Sequence, residues 1–195
     1  MSVEIRYVKR ILMTFDLGRG VPELILPRDF YWVEWSPELL KRHARLIHDA
    51  FRNDLDGQIF PTYKQYSACE HLIESTVSST LFAPKATWLI ARSASQANNN
   101  SKRVDYCAAI QCVFNKAREG EIQNVSVRAD VRRKGLGKAL VIKALEAFNQ
   151  LDVKVVKLEV TAENSEAIRL YSSLGFRPLR YFYTESFVET KPFIT

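Results

Sequence analysis

The sequence predicts a single α/β domain of the α+β kind, built on one central sheet. Three observations lead there. The chain has 195 residues, a length that one domain with a full hydrophobic core accommodates. Stretches with strand character alternate with amphipathic stretches of helical period along most of it. One segment, Gly120 to Lys138, joins a strand, a basic glycine turn and a helix start in direct succession.

The elements follow in order. Residues 3–16 alternate around Ile11, Met13 and Phe15 and read as a strand, after which Gly18, Gly20, Pro22 and Pro27 break the chain. Residues 1–29 are expected to be an N-terminal extension, carrying an added edge strand or an arm used in homodimerisation, with the domain proper over 30–195. Phe30 to Trp35 reads as the first core strand. Ser36-Pro37 suits a capped helix start. Leu39, Leu40, His43, Leu46, Ile47, Ala50 and Phe51 form one face of that helix, with His43 packed and His48 exposed. Arg52 to Pro61 is a loop. Thr62 with Gln65 resembles a capping box for a helix whose face holds Tyr66, Cys69, Ile73 and Val77.

Ala86–Arg92 and Asp105–Phe114 read as antiparallel strands joined by the polar stretch Ser93–Lys102. Ile122–Val127 is the next strand, and the helix Lys138–Gln150 buries Leu140, Val141, Ala144, Leu145 and Phe148. Val153–Val160 is so rich in β-branched residues that it reads as a central strand with both faces mostly covered, with Glu159 an unusual carboxylate near its end. Asn164 suits an N-cap, Ala167, Leu170, Tyr171 and Leu174 share a helix face, and Gly175 stops that helix. Phe176–Phe187 supplies the last strand or strands.

Composition narrows the function classes. Hydrophobic content of 47% and charged content of 26% are those of a globular domain. The net charge of +6 permits acidic partners. Several of those cations belong to the glycine turn, however, and no nucleic-acid-binding motif is present, so no nucleic-acid partner is expected. Three cysteines without a metal spacing point to free thiols in a reducing compartment and to no metal. No apolar run reaches the ~18 residues of a membrane span. Glu4, Arg6, Lys9 and Arg10 interrupt the first apolar stretch, which speaks against a signal peptide. The expected location is cytoplasmic.

The basic glycine turn is the chemical centre. The first amides of a helix lack internal partners and point outward with partial positive charge, and glycines let an anion approach the backbone. A phosphate or pyrophosphate ligand is therefore expected. A P-loop fails because Arg132 and Ala139 stand where a glycine and a Mg²⁺-binding hydroxyl are needed. A dinucleotide fingerprint fails at Leu140, where a small residue is required. Arg132-Arg133-Lys134-Gly135-Leu136-Gly137 instead resembles the Arg/Gln-x-x-Gly-x-Gly/Ala pattern of the Gcn5-related N-acetyltransferases. Asn164, Ala167, Leu170, Tyr171, Leu174, Gly175 and Phe176 resemble a second segment of that superfamily, in the expected order and separation.

The resemblance implies a mixed, mostly antiparallel sheet of about six or seven strands with one splayed pair, flanked by about four helices. It implies acetyl-CoA as cosubstrate, its pantetheine arm paired with the backbone of Val125, Ser126 and Val127. The pyrophosphate would take amides from Arg133 to Lys138, with Arg132, Lys134, Gly135, Leu136 and Gly137 shaping the turn and Asn164 and Ala167 completing the cofactor side. The loop holding Asp54 and Asp56 would wall the acceptor pocket, where the two either draw an amine or only shape an Asp-Gly turn.

Tyr171 stands at the position of the family's general acid. Gln123 and Asn124 stand where many members carry an acidic base. Glu159 is then the first candidate base, partly buried and raised in pKa, as in the ribosomal-protein alanine acetyltransferases that Leu158–Phe176 resembles. Glu121 acting through water is the second. The expected reaction is direct acetyl transfer to a primary amine, either a small molecule or a protein N-terminus. The alternative is a non-catalytic acyl-CoA-binding module of the same fold.

Overall fold

Parallel neighbours in a sheet need a long crossover, whereas antiparallel neighbours need only a turn. This chain shows one parallel joint among its described strands. The structure is a computed structural model describing residues 2–93 and 104–190. Most of the expected connection Ser93–Lys102 lies outside the described residues. The strands are β1 (Ser2–Asp16), β2 (Phe30–Glu34), β3 (Trp88–Arg92), β4 (Asp105–Phe114), β5 (Gly120–Val127), β6 (Val155–Thr161) and β7 (Arg177–Thr190). The helices are α1 (Leu40–Phe51), α2 (Leu55–Ile59), α3 (Tyr66–Ser78), α4 (Leu136–Gln150) and α5 (Ser165–Leu174). The sheet order is β2-β3-β4-β5-β6-β1-β7. Every pairing is antiparallel except β5 with β6, which α4 bridges.

Helices cover both faces of this sheet. Ala108, Ile110 and Cys112 of β4 pack in the large cluster with Leu140, Ile142 and Phe148 of α4. Ala109, which points the other way, packs with Leu46 of α1 and Leu89. Behind α1, Ala44 and Ile47 meet Cys69 and Ile73 of α3. Among the described residues no helix is long and apolar enough to cross a membrane.

The β5–β6 pair splays. Register holds at Gly120↔Val156, Glu121↔Lys157 and Ile122↔Leu158, and beyond Ile122 β5 has no β6 partner among the described residues. A bulge sits at that point: Gln111 pairs with Asn124 and Cys112 with Ile122, which leaves Gln123 unopposed. Bulges bend the strand that carries them and increase its twist. From there β5 follows β4, while β6 follows β1 out to Arg10↔Thr161.

Several expectations need correction. The N-terminal strand is present, but it is not at an edge. β1 inserts between β6 and β7, because Ile11, Met13 and Phe15 bury against Val160, Leu158 and Val156 in register. The second face of β6 is only partly covered: Val155 and Lys157 are half-buried and Thr161 is buried, but Glu159 is exposed. Thr62 and Gln65 make no capping box, since Pro61–Lys64 is a 3-10 turn and Gln65 caps α3 without a side-chain bond. Ser36 likewise makes no capping bond, and a 3-10 turn at Pro37–Leu39 precedes α1. His48 is buried, its ring edge-on to Tyr66. His43 is buried as expected, with Nδ1 at 2.6 Å from Gln111 Nε2.

Candidate active site

Two cavities flank the splay. The first is a groove of about 470 Å³ lined by Val125 and Val127 of β5, the turn and start of α4, and Asn164, Ala167, Leu170 and Tyr171 of α5. Its floor is made by a turn that only certain residues permit. Gly135 caps α4 at φ +81° and Arg133 sits at φ +62°, both left-handed. The first internal bond of α4 runs from Ala139 N to the Gly135 carbonyl at 2.9 Å. The amides of Leu136, Gly137 and Lys138 precede it and lie at the groove wall. Asn164 accepts from Ala167 N at 3.1 Å, so the expected N-cap is in place and starts α5 beside the same groove. Gly175, at φ +106°, ends it.

The two arginines of the turn are engaged by protein. Arg132 Nε donates to the Val127 carbonyl at 3.1 Å and Nη2 to the Ala50 carbonyl at 2.8 Å. Its fork also holds the Asp54 carboxylate at 2.7 and 3.3 Å. Arg133 reaches Glu166 across the groove at 2.5 Å. Lys134 and Ser126 do not line the groove, and Ser126 is buried with its hydroxyl 3.4 Å from the Ala109 carbonyl. Of the turn's lysines, Lys138 lines the groove.

The second cavity, of about 210 Å³, opens beside Glu159 of β6. Glu121, Gln123 and Asn124 of β5, Glu159 of β6, Arg10 of β1, Phe60, Tyr63 and Thr184 line it. Gln123 Nε2 donates to Glu121 Oε1 at 2.6 Å, and the Tyr63 hydroxyl donates to Asn124 Oδ1 at 3.2 Å. Burial raises the Glu121 carboxyl above the usual range, and the neighbouring Glu159 charge raises it further. Glu159 is more open than expected, with its side chain 43% exposed and its Oε2 3.8 Å from Arg10 Nη2. Tyr63 is pushed up to about 12 by burial, with Asp56 adding to the rise.

A polar chain leads from the second cavity into the protein. Arg10 Nη1 donates to Thr161 Oγ1 at 3.1 Å, and Thr161 donates on to Asp56 Oδ1 at 2.9 Å. Tyr171 is partly buried, its ring 5.9 Å from that of Phe176. Burial raises its phenol well above the ordinary value, Asp56 raises it further, and Arg10 acts in the opposite direction. At neutral pH this phenol keeps its proton and is available as a donor.

The structure thus brings Glu121 and Glu159 to one cavity and Tyr171, Val125, Val127, Asn164, Ala167 and most of the glycine turn to the other. Sequence reasoning missed Arg10, Tyr63 and Thr161. The signal for Arg10 was present as a charge inside an apolar alternating strand beside Ile11, Met13 and Phe15.

Comparison with known proteins agrees with this geometry. The model of the acetyltransferase (GNAT) family matches residues 78–176, about half of the chain. An alanine N-acetyltransferase of a ribosomal protein in Escherichia coli is 41% identical over 58 residues, covering 30% of this chain and 39% of that protein. An N-alpha-acetyltransferase of Sulfurisphaera tokodaii is 35% identical over 72 residues, covering 35% of this chain and 43% of the relative. The chain therefore spans less than half the length of these curated relatives. A GCN5-related N-acetyltransferase structure from Sphaerobacter thermophilus superposes with a TM-score of 0.70 at 19% identity, over 96% of this chain and 54% of that one. The structure of the Escherichia coli ribosomal-protein alanine N-acetyltransferase gives 0.56 at 17% identity, over 85% and 98%. Splayed strands, glycine turn, capped α5 and family match converge: the chain belongs to the acetyltransferase (GNAT) family.

Proposed function

We propose that this protein moves the acetyl group of acetyl-CoA directly to a primary amine. The observation that carries the reading is the splay itself, with a groove lined by the glycine turn on one side and a carboxylate-lined pocket on the other. Acetyl-CoA fits the groove: the turn amides suit its pyrophosphate, and the part of β5 beyond Ile122, without a β6 partner, suits a pantetheine arm. The side chain of Arg132 acts in this reading as a brace, because Asp54 and two carbonyls already hold it.

The acceptor arrives as an ammonium and must lose a proton to attack. Glu121 is the better supported base, since burial and Glu159 raise its carboxyl toward working pH. Glu159, more exposed, draws the ammonium in and sustains that rise. The amine nitrogen attacks the thioester carbonyl carbon, whose developing oxyanion takes the Val125 amide. The carbon–sulfur bond then breaks, the Tyr171 phenol protonates the leaving thiolate, the second proton from nitrogen restores the phenol, and Glu121 passes the first to water. One proton leaves to solvent per turnover.

The test is titration with acetyl-CoA, CoA and ATP in parallel, followed by thiol release with amines for wild type and Tyr171→Phe. Binding of both CoA species without ATP, and a turnover about 10²-fold or more lower in the variant, is the expected result. Failure to bind either CoA species sinks the reading.

A further inference from the structure

The acceptor pocket contains more than an ammonium requires. Two carboxylates suffice to draw in and deprotonate an amine, yet Arg10 shares the cavity with them. Its orientation is fixed. Nη1 is tied to Thr161 Oγ1, and the guanidinium lies over the Phe60 ring with the centroid 5.1 Å away. Nη2 stands 3.8 Å from Glu159 Oε2, close enough for charge but too far for a hydrogen bond. The side chain is only 15% exposed. A partly buried, donor-only planar group is thus held still with one edge toward the cavity, and such an edge suits an oxygen acceptor.

The proposal rests on the acetyltransferase reading and deepens it. We propose that Arg10 reads an oxygen next to the reacting amine, so that the acceptor is an α-amino carbonyl compound. The ammonium then faces Glu121 and Glu159 while its neighbouring carbonyl or carboxylate oxygen takes the Arg10 fork. The size agrees: about 210 Å³ is below the ~300–1,000 Å³ of sites that enclose a drug-sized molecule, so the cavity admits a head group. Diamines and polyamines fit poorly, because their second cation meets Arg10. A free α-amino acid and a peptide N-terminus share the required chemistry.

Rates of thiol release are compared for wild type and Arg10→Gln with alanine, an alanine-headed tripeptide, ethylamine and 1,4-diaminobutane. In wild type, kcat/KM for at least one of the alanine compounds exceeds that for both plain amines by about tenfold or more. The faster of the two alanine compounds identifies the source. In Arg10→Gln that ratio collapses toward one, mainly through KM for the alanine compounds. A residue that only supports the fold lowers all rates together and leaves the ratio standing, and that result overturns the proposal. A wild type that uses ethylamine or the diamine as well as alanine overturns it without recourse to any variant. Failure of the wild type to bind acetyl-CoA is a separate outcome, which removes the acetyltransferase reading and this proposal with it.

Discussion

Arg132 and Asp54 form a two-pronged ion pair, Nη2 to Oδ2 at 2.7 Å and Nη1 to Oδ1 at 3.3 Å, that ties the turn before α4 to the loop after α1. Both side chains are more than a third exposed, so the pair alone contributes at most about 1 kcal/mol. The two carbonyls that Arg132 also holds add to its share. Asp54→Ala is therefore expected to cost less than about 1 kcal/mol in urea unfolding, and Arg132→Ala about 1–2 kcal/mol. Arg132→Ala also weakens acetyl-CoA binding, because it releases the end of β5 at Val127. A larger cost for Asp54→Ala than for Arg132→Ala contradicts this account.

The two motif glycines are expected to fail differently. At Gly135, φ +81° makes any side chain strained, so Gly135→Ala destabilises by about 1–2 kcal/mol although nothing stands within 4 Å of its Cβ. A Cβ at Gly137 makes ordinary contacts of 3.6 Å with Leu170 and 3.7 Å with Val127. Gly137→Ala should leave the thermal midpoint nearly unchanged and weaken acetyl-CoA binding by crowding the groove. Thermal melts and calorimetric titration of both variants separate fold from ligand approach.

The pH dependence follows from the two carboxylates. A base works when deprotonated, so kcat/KM rises with pH through the raised Glu121 value. The negative charge of Glu159 contributes to that rise, and removing it lets Glu121 ionise more easily. Glu159→Gln is therefore expected to move the acidic limb of kcat/KM to lower pH, and Glu121→Gln to abolish it. A limb that stays in place in Glu159→Gln while disappearing in Glu121→Gln would show that the two charges do not communicate.

His43 gives a stability prediction. Burial lowers its imidazole to about 3, whereas the unfolded chain titrates near ~6.5. Between those values the unfolded chain binds a proton that the folded chain refuses, so stability falls as pH drops below about 6.5, by up to about 1.4 kcal/mol per unit. His43→Gln should flatten that slope between about pH 6.5 and 5 in urea titrations, whatever it does to absolute stability.

How much of this was legible in the sequence depended on range. The turn at Gly135, the Asn164 cap and the Gly175 stop are local, set by backbone geometry within a few residues, and each stands where expected. Glu159 was misjudged because period-two alternation says that the faces of β6 differ, but not which face a helix covers. The place of β1 was hidden for a similar reason: alternation marks a strand without naming its partners. Arg10 consequently looked like an obstacle to a signal peptide rather than a wall of the site. Asp54 read as drawing an amine or shaping a turn, and its ion pair was hidden because its partner, Arg132, lies 78 positions away.

The insertion of β1 also sets an order of assembly. Arg10 and Thr161 are 151 positions apart, and Tyr7 and Glu185 are 178 apart. Contacts of such sequence separation form late, because a long loop must close first. During synthesis the first strand waits, its apolar face unpaired, until the last two strands emerge. The groove draws mostly on the continuous stretch from β5 to α5, whereas the smaller cavity needs Arg10 of β1 and Thr184 of β7. A nascent molecule can therefore complete the larger groove before the smaller cavity has its walls.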